Sequence, residues 1–320
     1  MKKTEKFVII RTDGGICSQL YFCALGKYFE DRGYNVKYDT SWFRDYGMDT
    51  DGIFVRNYDI EKAFKNLNLQ IATETEINLY KKKYKRKKGQ SLSECAPPIY
   101  IDGYPDERPL LMVKYKDYFK ENFVFSTTDI EQQEILNEIN ETNACAIHVR
   151  RGDIATSNWY GETAGSDYFL KAINIINSVY ENVKFYFFSD EPAWIKENIV
   201  PQLGDINYKI CDKNGSDKGY LDLYLISQCK YIVSSNGSLG LVAKLLSKDK
   251  TELWMCKYQD FICKTENNIY IINCPNTIID RENKEYCSKK ISLAQKIFSF
   301  ERRKGHLVIC ILGIKIKIKE

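Results

Sequence analysis

Strand-like and helix-like segments alternate along the chain from residue 144 onward, and this alternation constrains the fold more than any other feature. Short apolar runs that suit buried strands lie at 144–149, 184–188, 208–211, 231–233 and 252–255. Segments of helical periodicity separate them. One such segment follows Ser166, a candidate N-cap, and repeats Phe169, Ile173 and Ile176 along one face. Strands that alternate with helices are typical of a parallel α/β sheet.

The N-terminal part opens with the same order of strand, turn and helix. Phe7–Ile10 is a short apolar run, a glycine pair follows, and helical spacing extends from about residue 18 to Gly33. Further helices are predicted at 59–67 and 74–86, and a strand at 99–101. We therefore predict two Rossmann-like domains, at residues 1–140 and 141–290, and a basic tail at residues 291–320.

Composition and charge exclude several functional classes. The 320 residues carry a net charge of only +4, which does not favour nucleic-acid binding. Eleven cysteines, without any CxxC spacing, argue against a disulfide framework and a zinc site, and they suit a reducing cytosol. No apolar run approaches the ~20 residues of a membrane span, so we expect a cytoplasmic protein.

Two basic segments have alternative interpretations. The run at residues 81–88 fits a solvated helix end better than a binding patch. In the tail, Leu312, Ile314, Ile316 and Ile318 alternate with Lys315, Lys317 and Lys319, which predicts an amphipathic strand. This strand fits either a terminal hairpin or a peripheral contact with the inner face of the cytoplasmic membrane.

The strongest candidate for chemistry is the segment His148 to Asp153, at the end of a predicted strand. Ligands of open α/β sheets bind beyond the carboxyl ends of strands, and Arg150 and Arg151 offer bidentate donors for phosphate there. The alternative is a structural ion pair between arginine and aspartate. His148 shares a strand face with Arg150, and it fits either a buried, satisfied histidine or a contact to a nucleotide base.

Other polar residues also follow predicted strands or begin predicted helices. The turn Ser234-Ser235-Asn236-Gly237-Ser238 precedes a helix, so its amides suit phosphate binding, while capping by Asn236 or Ser238 is the alternative. Asp190 fits a helix cap or a place in the ligand crevice. Asp222 fits an exposed first-turn aspartate or a carboxylate that accepts hydrogen bonds from guanine.

These segments together resemble the α-1,2-fucosyltransferases (glycosyltransferase family 11-like) and the related α-1,6- and protein O-fucosyltransferases. His148 to Asp153 is similar to the HxRRxD-type motif of that family. Three more segments match in the family's order: Gly14-Gly15 through Gln19 and Tyr21, Phe188-Ser189-Asp190 with Trp194, and Asp222 to Lys230 followed by Ser235 to Ser238.

The resemblance implies a GT-B architecture, in which two Rossmann-like domains face a cleft, and an inverting transfer from GDP-β-L-fucose without any metal or other cofactor. Arg150 would then hold the departing β-phosphate, with His148 and Asp222 near guanine. The donor-binding set implied by the matching motifs comprises Gly14, Gly15, His148, Arg150, Asp153, Asp190, Asp222, Ser234, Ser235, Asn236, Gly237 and Ser238.

The acceptor implied by the resemblance is a glycan or a lipid-linked oligosaccharide, as in surface polysaccharide or O-antigen (lipopolysaccharide) biosynthesis. An acceptor hydroxyl needs a base, and Asp13, beside the glycine pair, is the candidate; a turn-forming aspartate is the alternative. The chain departs from the family in the glycine loop and after Ser238, where the family's tryptophans are missing. Another GDP-sugar, or a non-catalytic nucleotide- or glycan-binding relative, therefore remains as an alternative function.

Overall fold

The computed structural model describes residues 6–48, 52, 54–67, 69–105, 107–152, 164–235, 237–248, 250–256, 266–272, 298–303, 306–311 and 314–319. Residues 1–279 form one compact unit, and residues 280–320 form a second. Two predicted site residues, Asp153 and Asn236, lie outside the described residues.

The N-terminal half is built on a parallel sheet with the strand order β2-β1-β3. Its strands are β1 (Val8–Arg11), β2 (Val36–Asp39) and β3 (Ile99–Ile101). Its helices are α1 (Ile16–Glu30), α2 (Ser41–Asp45), α3 (Ile60–Ala63), α4 (Glu74–Lys83), α5 (Arg108–Lys114), α6 (Lys116–Asn122) and α7 (Ile130–Glu141), with a short 3-10 turn at Leu92–Glu94. Strand β1 lies in the middle of the sheet because Val8, Ile9 and Ile10 are all apolar and fully buried.

The C-terminal half is built on a six-stranded parallel sheet with the order β6-β5-β4-β7-β8-β9. Its strands are β4 (Asn143–Val149), β5 (Val183–Ser189), β6 (Tyr208–Cys211), β7 (Tyr231–Ser234), β8 (Glu252–Met255) and β9 (Ile269–Ile271). Its helices are α8 (Ser166–Val179), α9 (Pro192–Asn198), α10 (Gly219–Gln228) and α11 (Leu239–Leu246), with 3-10 turns at Val200–Gln202 and Ser216–Lys218. The α/β prediction with parallel sheets is therefore confirmed.

Register determines which strand ends meet in the larger sheet. His148 of β4 pairs with Phe188 of β5 on one side and with Ser234 of β7 on the other. The residues that follow these three strands therefore leave the sheet at the same edge. This edge is where open parallel sheets bind ligands.

Several predicted element bounds are wrong, and tertiary contacts explain two of them. Helix α3 ends at Ala63 because Phe64 is extended and bridges Phe123. Helix α4 ends at Lys83 because Lys85 bridges Tyr100 on the edge of the sheet. Ser166 begins α8, but no side chain caps that helix.

The unit at residues 280–320 contains an antiparallel sheet of β10 (Phe298–Arg303), β11 (His306–Ile311) and β12 (Ile314–Lys319) in that order. The predicted amphipathic strand corresponds to β12, and two strands that were not predicted pair ahead of it. Contact of this segment with a membrane surface stays a prediction. Within the described ranges, no helix is long and apolar enough to cross a membrane.

Candidate functional site

A cleft of about 1060 Å³ is lined by residues from both parallel sheets and their connections. The N-terminal half contributes residues 13–18, several residues between 42 and 59, and Tyr104. The C-terminal half contributes His148, Arg150 and parts of the segments 188–192, 212–222 and 237–239. The helix N-termini of α1, α10 and α11 all open on this cleft, and each exposes backbone amides that favour an anion.

Arg150 lies in the cleft directly after β4, and two neighbouring strand ends hold it there. Its backbone amide donates to the Ser235 hydroxyl at 2.8 Å, and its guanidinium forms an ion pair with Asp190. Burial raises the pKa of Asp190, and the charge of Arg150 opposes that shift. The predicted alternative of an Arg–Asp ion pair is therefore present, and it lies in the cleft rather than in the core.

Asp190 binds the segment of Arg150 and Arg151 and does not cap a helix. Its second carboxylate oxygen accepts a hydrogen bond from the Arg151 backbone amide at 2.9 Å, and Glu191 occupies the cap position of α9 without a side-chain cap. The carboxylate therefore fixes both the side chain of Arg150 and the backbone that follows it.

Arg151 extends toward α9. Its Nε atom lies 3.3 Å from a Glu191 carboxylate oxygen, and its guanidinium stacks 4.1 Å from the ring centroid of Trp194. The two adjacent arginines thus have different surroundings. A catalytic role for Arg151 stays a prediction, and the contact with Trp194 gives this side chain a packing role.

His148, in β4 two residues before Arg150, is buried, with 5% of its surface exposed. Its Nδ1 atom lies 3.2 Å from the Ser234 hydroxyl. Burial lowers the pKa of His148 to about 3, and the nearby charge of Arg150 lowers it further. The ring is therefore neutral at physiological pH, so it is suited to hydrogen bonding and does not neutralise an anion.

The turn after β7 places the start of α11 in the cleft. Gly237 and Ser238 line the cleft, and Ser238 makes no side-chain capping bond to α11, so capping by Ser238 is wrong. A Cβ atom on Gly240 would lie 2.1 Å from the Ser234 hydroxyl. Only glycine therefore lets α11 approach β7 this closely, and this approach brings its N-terminus to the strand ends.

The glycine turn before α1 forms the opposite wall of the cleft. Gly14 has a φ of +73°, a left-handed conformation that favours glycine, and a Cβ atom there would lie 2.9 Å from the Ser18 hydroxyl. Gly15 then precedes α1 in an extended conformation. Both predicted glycines therefore lie in the cleft, and Gly14 is required by its backbone conformation.

Asp13 also lies in the cleft, and it is already hydrogen-bonded. The Tyr104 hydroxyl donates to one carboxylate oxygen at 2.5 Å, and the Arg11 guanidinium lies 3.5 Å from the other. Tyr104 itself stacks on Tyr21. The side chain is thus held toward the cleft, although its role as a base stays a prediction.

Asp222 is half-buried in the first turn of α10 and lines the cleft, so the alternative of an exposed aspartate is wrong. Asn214 donates to its carboxylate at 2.6 Å and also to the Gln132 side chain at 3.2 Å. Burial raises the pKa of Asp222 to about 7, and the bond from Asn214 opposes the shift. Its protonation therefore changes near neutral pH.

Two residues at or near the N-terminal wall of the cleft were not predicted as site residues, Gln19 and Arg56. Gln19 is fully buried and joins the glycine turn to the segment that begins α3 through four hydrogen bonds. Its place in the resemblance to the N-terminal motif was the signal that could have identified it. Arg56 lines the cleft from an irregular segment without periodicity, so no sequence pattern indicated it.

Among the residues that the structure describes, no group of three or more His, Cys, Asp or Glu side chains is arranged to hold a metal ion. Cysteines in the described part of the chain, such as Cys17, Cys145 and Cys229, are free thiols.

Two α/β halves, each built on a parallel sheet, share one cleft that an arginine and several helix N-termini line, and this arrangement is that of the GT-B fold class. Within that class, the chain belongs to glycosyl transferase family 11, whose profile matches residues 49–273. It is an enzyme of this family, and the resemblance inferred from the sequence motifs is confirmed.

The chain is similar in sequence to three glycosyltransferases, among others. The α-1,2-colitosyltransferase of Escherichia coli is 24% identical over 73% of this chain and 85% of that protein. Galactoside α-(1,2)-fucosyltransferase 2 of Mus musculus is 30% identical over 35% of this chain and 32% of that protein. The O-antigen biosynthesis glycosyltransferase WbnK of Escherichia coli is 28% identical over 30% of this chain and 32% of that protein. The chain therefore matches about a third of the length of the last two relatives.

Solved structures of similar fold include the NodZ α-1,6-fucosyltransferase soaked with GDP-fucose. It is 14% identical, with a TM-score of 0.42, over 76% of this chain and 93% of that chain.

Proposed function

We propose that this enzyme transfers L-fucose from GDP-β-L-fucose to a hydroxyl group of a glycan, with inversion and with formation of an α-1,2 linkage. The observation that carries the proposal is Arg150, which Asp190 and Ser235 hold in a cleft that three helix N-termini also face. The α-1,2 linkage is suggested by the names of the colitosyl and fucosyl relatives.

The donor's diphosphate is the group that this arrangement suits. In sugar transfer, negative charge builds on the leaving diphosphate as the glycosidic bond breaks. A fixed guanidinium and helix-end amides stabilise that charge without reorganisation during the reaction. Because these cations and dipoles belong to the protein, we propose that the reaction requires neither a metal ion nor another cofactor.

Colitose is the second candidate sugar. Colitose is L-fucose that lacks the hydroxyl at carbon 3, and the α-1,2-colitosyltransferase of Escherichia coli matches this chain over a larger share than the fucosyltransferase does. The two donors share the nucleotide and the diphosphate. Only the wall of the cleft that meets carbon 3 would distinguish them.

The function is tested by donor hydrolysis without any acceptor. The full chain is incubated with GDP-fucose, GDP-colitose, GDP-mannose or UDP-galactose, with and without EDTA, and release of the nucleoside diphosphate is measured. We expect GDP release from GDP-fucose or GDP-colitose to exceed release from the other two donors, and EDTA to leave the rate unchanged. Preferential hydrolysis of UDP-galactose would contradict the donor proposal, and inhibition by EDTA would contradict the metal-independent mechanism.

Donor binding should depend on pH through Asp222. An ionised carboxylate accepts hydrogen bonds from both guanine donors, whereas the protonated acid does not. Because the pKa of Asp222 is about 7, GDP-fucose affinity should fall below that pH, by up to about tenfold per pH unit. GDP-fucose is the suitable ligand because its diphosphate has no group that titrates near neutrality.

The control for this pH dependence is Asp222→Asn. That variant should bind GDP-fucose more weakly than the wild type at pH 8, because the charge-assisted hydrogen bonds to guanine are lost. Its affinity should not change between pH 6 and pH 8. Isothermal titration calorimetry measures both. A variant that keeps the wild-type pH profile would remove Asp222 from the guanine site.

The acceptor fits the N-terminal wall of the cleft. Trp42 and Tyr46 line it beside the carboxylate of Asp45, and Tyr46 is 73% exposed. Exposed aromatic rings bind the apolar faces of sugars, and a nearby carboxylate accepts hydrogen bonds from sugar hydroxyls. Asp13, on the same wall, is then available to take the acceptor proton.

Tyr46→Ala tests the acceptor wall with lactose as a galactoside acceptor and GDP-fucose as donor. We expect transfer efficiency (kcat/KM for lactose) to fall about tenfold, which corresponds to a lost contact of about 1.4 kcal/mol. Acceptor-free donor hydrolysis should stay at the wild-type rate. Tyr84→Ala, which removes a tyrosine outside the cleft wall, is the matched control. Equal efficiencies for the Tyr46 and Tyr84 variants would place the acceptor elsewhere.

The biological acceptor is proposed to be a surface polysaccharide or a lipid-linked oligosaccharide, as suggested by the name of the O-antigen relative. A reaction at the inner face of the cytoplasmic membrane would suit such an acceptor, and it stays a prediction.

A further inference from the structure

Arg56 is a second guanidinium in the cleft, and it comes from the N-terminal half of the chain. Its backbone amide donates to the carbonyl oxygen of Gly47 at 2.7 Å, next to the bridge between Met48 and Val55. This pairing fixes the backbone from which the side chain extends. The side chain is half-buried and lines the cleft.

The ring of Phe54 lies close to both Arg56 and Arg150. The guanidinium carbon of Arg56 is 5.9 Å from the ring centroid, and that of Arg150 is 5.7 Å from it. Both distances are within the range of a cation–π contact. Two guanidinium groups, one from each half of the protein, are therefore near a single ring that itself lines the cleft.

Arg56 also lies near the place where two helix N-termini meet. The Cys17 thiol, in the first turn of α1, hydrogen-bonds to the side chain of Ser238, the residue before α11. Burial raises the pKa of Cys17 to about 12, and the positive charge of Arg56 acts in the opposite direction. The guanidinium, the start of α1 and the start of α11 therefore act on the same region of the cleft.

The side chains that line the cleft include more acidic groups than cations. The described acidic residues that line it are Asp13, Asp45, Asp59, Asp190, Asp212 and Asp222, whereas the described cations are Arg56 and Arg150. Arg150 is already paired with Asp190. Arg11, Lys62 and Lys196 offset part of this negative charge through ion pairs with Asp13, Asp59 and Asp212. A diphosphate carries two negative charges, and a second guanidinium on the opposite wall of the cleft adds to the attraction that Arg150 provides; Arg56 lines that wall.

We propose that Arg56 binds the diphosphate of the nucleotide donor from the N-terminal half, opposite Arg150, so that both halves of the protein hold the leaving group. This inference rests on the proposed function, since it assumes a nucleoside diphosphate ligand. It adds a residue that contacts the donor and lies outside the motifs through which the sequence resembles its family.

The test is calorimetric binding of GDP and GMP to the full chain and to Arg56→Ala, Arg56→Lys and Arg56→Gln. We expect Arg56→Ala to weaken GDP binding by about 10- to 100-fold, as for the loss of charge-assisted bonds to phosphate. GMP binding should weaken much less, so the ratio of GDP to GMP affinity falls. Arg56→Lys keeps the charge without the bidentate geometry and should give an intermediate ratio.

The control variant is Arg32→Ala, which removes an exposed arginine that packs on Tyr28 and Tyr34 away from the cleft. GDP binding by this variant should match the wild type. A wild-type protein that does not bind GDP would contradict the proposed function itself. Wild-type GDP binding combined with unchanged affinity in the Arg56 variants, or with equal losses for GDP and GMP, would overturn only the role of Arg56. If Arg56→Ala does not fold, as judged by circular dichroism, the lysine and glutamine variants decide the question on the same ratio.

Discussion

Arg150→Ala should lower the turnover of sugar transfer by about 100-fold or more, equivalent to about 3 kcal/mol of barrier. The guanidinium is held by Asp190 before any donor arrives, so its charge is in place when the diphosphate departs. Such fixed charge stabilises the transition state more than the ground state. The larger loss should therefore appear in kcat, with a smaller change in the KM for GDP-fucose, in steady-state assays of GDP release.

Arg151→Ala shows whether the effect on turnover depends on the position of the Arg150 charge or only on net positive charge. It removes an equal charge one residue further along, from a side chain that stacks on Trp194. We expect a much smaller loss of kcat in this variant, while Asp190→Asn, which loosens the anchor of Arg150, should fall between the two. Similar losses in the two alanine variants would show that net positive charge, and not the placement of Arg150, supports the reaction. Wild-type turnover in Arg150→Ala would exclude the proposed role.

The C-terminal half could be predicted from the sequence because most of its strands are largely apolar. A strand buried on both faces, such as Ala144–Val149, is recognisable without any knowledge of its neighbours. Since all these strands are parallel, the residues after each of them had to meet at a single edge. The proximity of Arg150 and Ser235, which are far apart in sequence, follows from this rule and from the register of β4 against β7.

The N-terminal half was less predictable because tertiary contacts determine its short elements. Helix α2 has five residues, too few for a periodic pattern, and buried Asp39 anchors its start by accepting hydrogen bonds from the Ser41 amide and the Tyr100 hydroxyl. Arg56 belongs to the same region. Its approach to the cleft depends on a bridge between Met48 and Val55 that no local sequence signal reveals.

Asp190 illustrates a different limit of sequence reasoning. Its place after β5 correctly indicated the cleft, but the sequence did not distinguish a ligand contact from a partner for Arg150. Only the positions of β4 and β5 as neighbours, in register, bring this carboxylate to both the guanidinium and the Arg151 amide. The C-terminal wall of the cleft is therefore a set of strand ends that position one another.

Gln19→Ala should lower the free energy of unfolding by about 3 kcal/mol or more. The buried amide donates to the carbonyl oxygens of Gly14 and Asn57, at 3.1 and 2.7 Å, and accepts from the backbone amides of Asp59 and Ile60, at 2.8 and 3.1 Å. Alanine would leave these four backbone groups without their side-chain partner. The measurement is urea denaturation followed by circular dichroism.

Gln19→Glu and Gln202→Ala make that result specific. The glutamate keeps the two accepted bonds, but it cannot donate to Gly14 and Asn57, and it places a charge at a fully buried position, so the loss should be at least as large as in the alanine variant. Gln202 is exposed, and its side chain donates to the carbonyl oxygen of Asn198 at the end of α9, so its removal should cost less than about 0.5 kcal/mol. A loss below about 1 kcal/mol in Gln19→Ala would mean that water or a shift of the chain replaces the four bonds.

If the loss of stability in Gln19→Ala is large, the affinity for GDP should fall as well. The same side chain joins the glycine turn to the segment that carries Arg56. GDP affinity is measured at a temperature well below the unfolding transition.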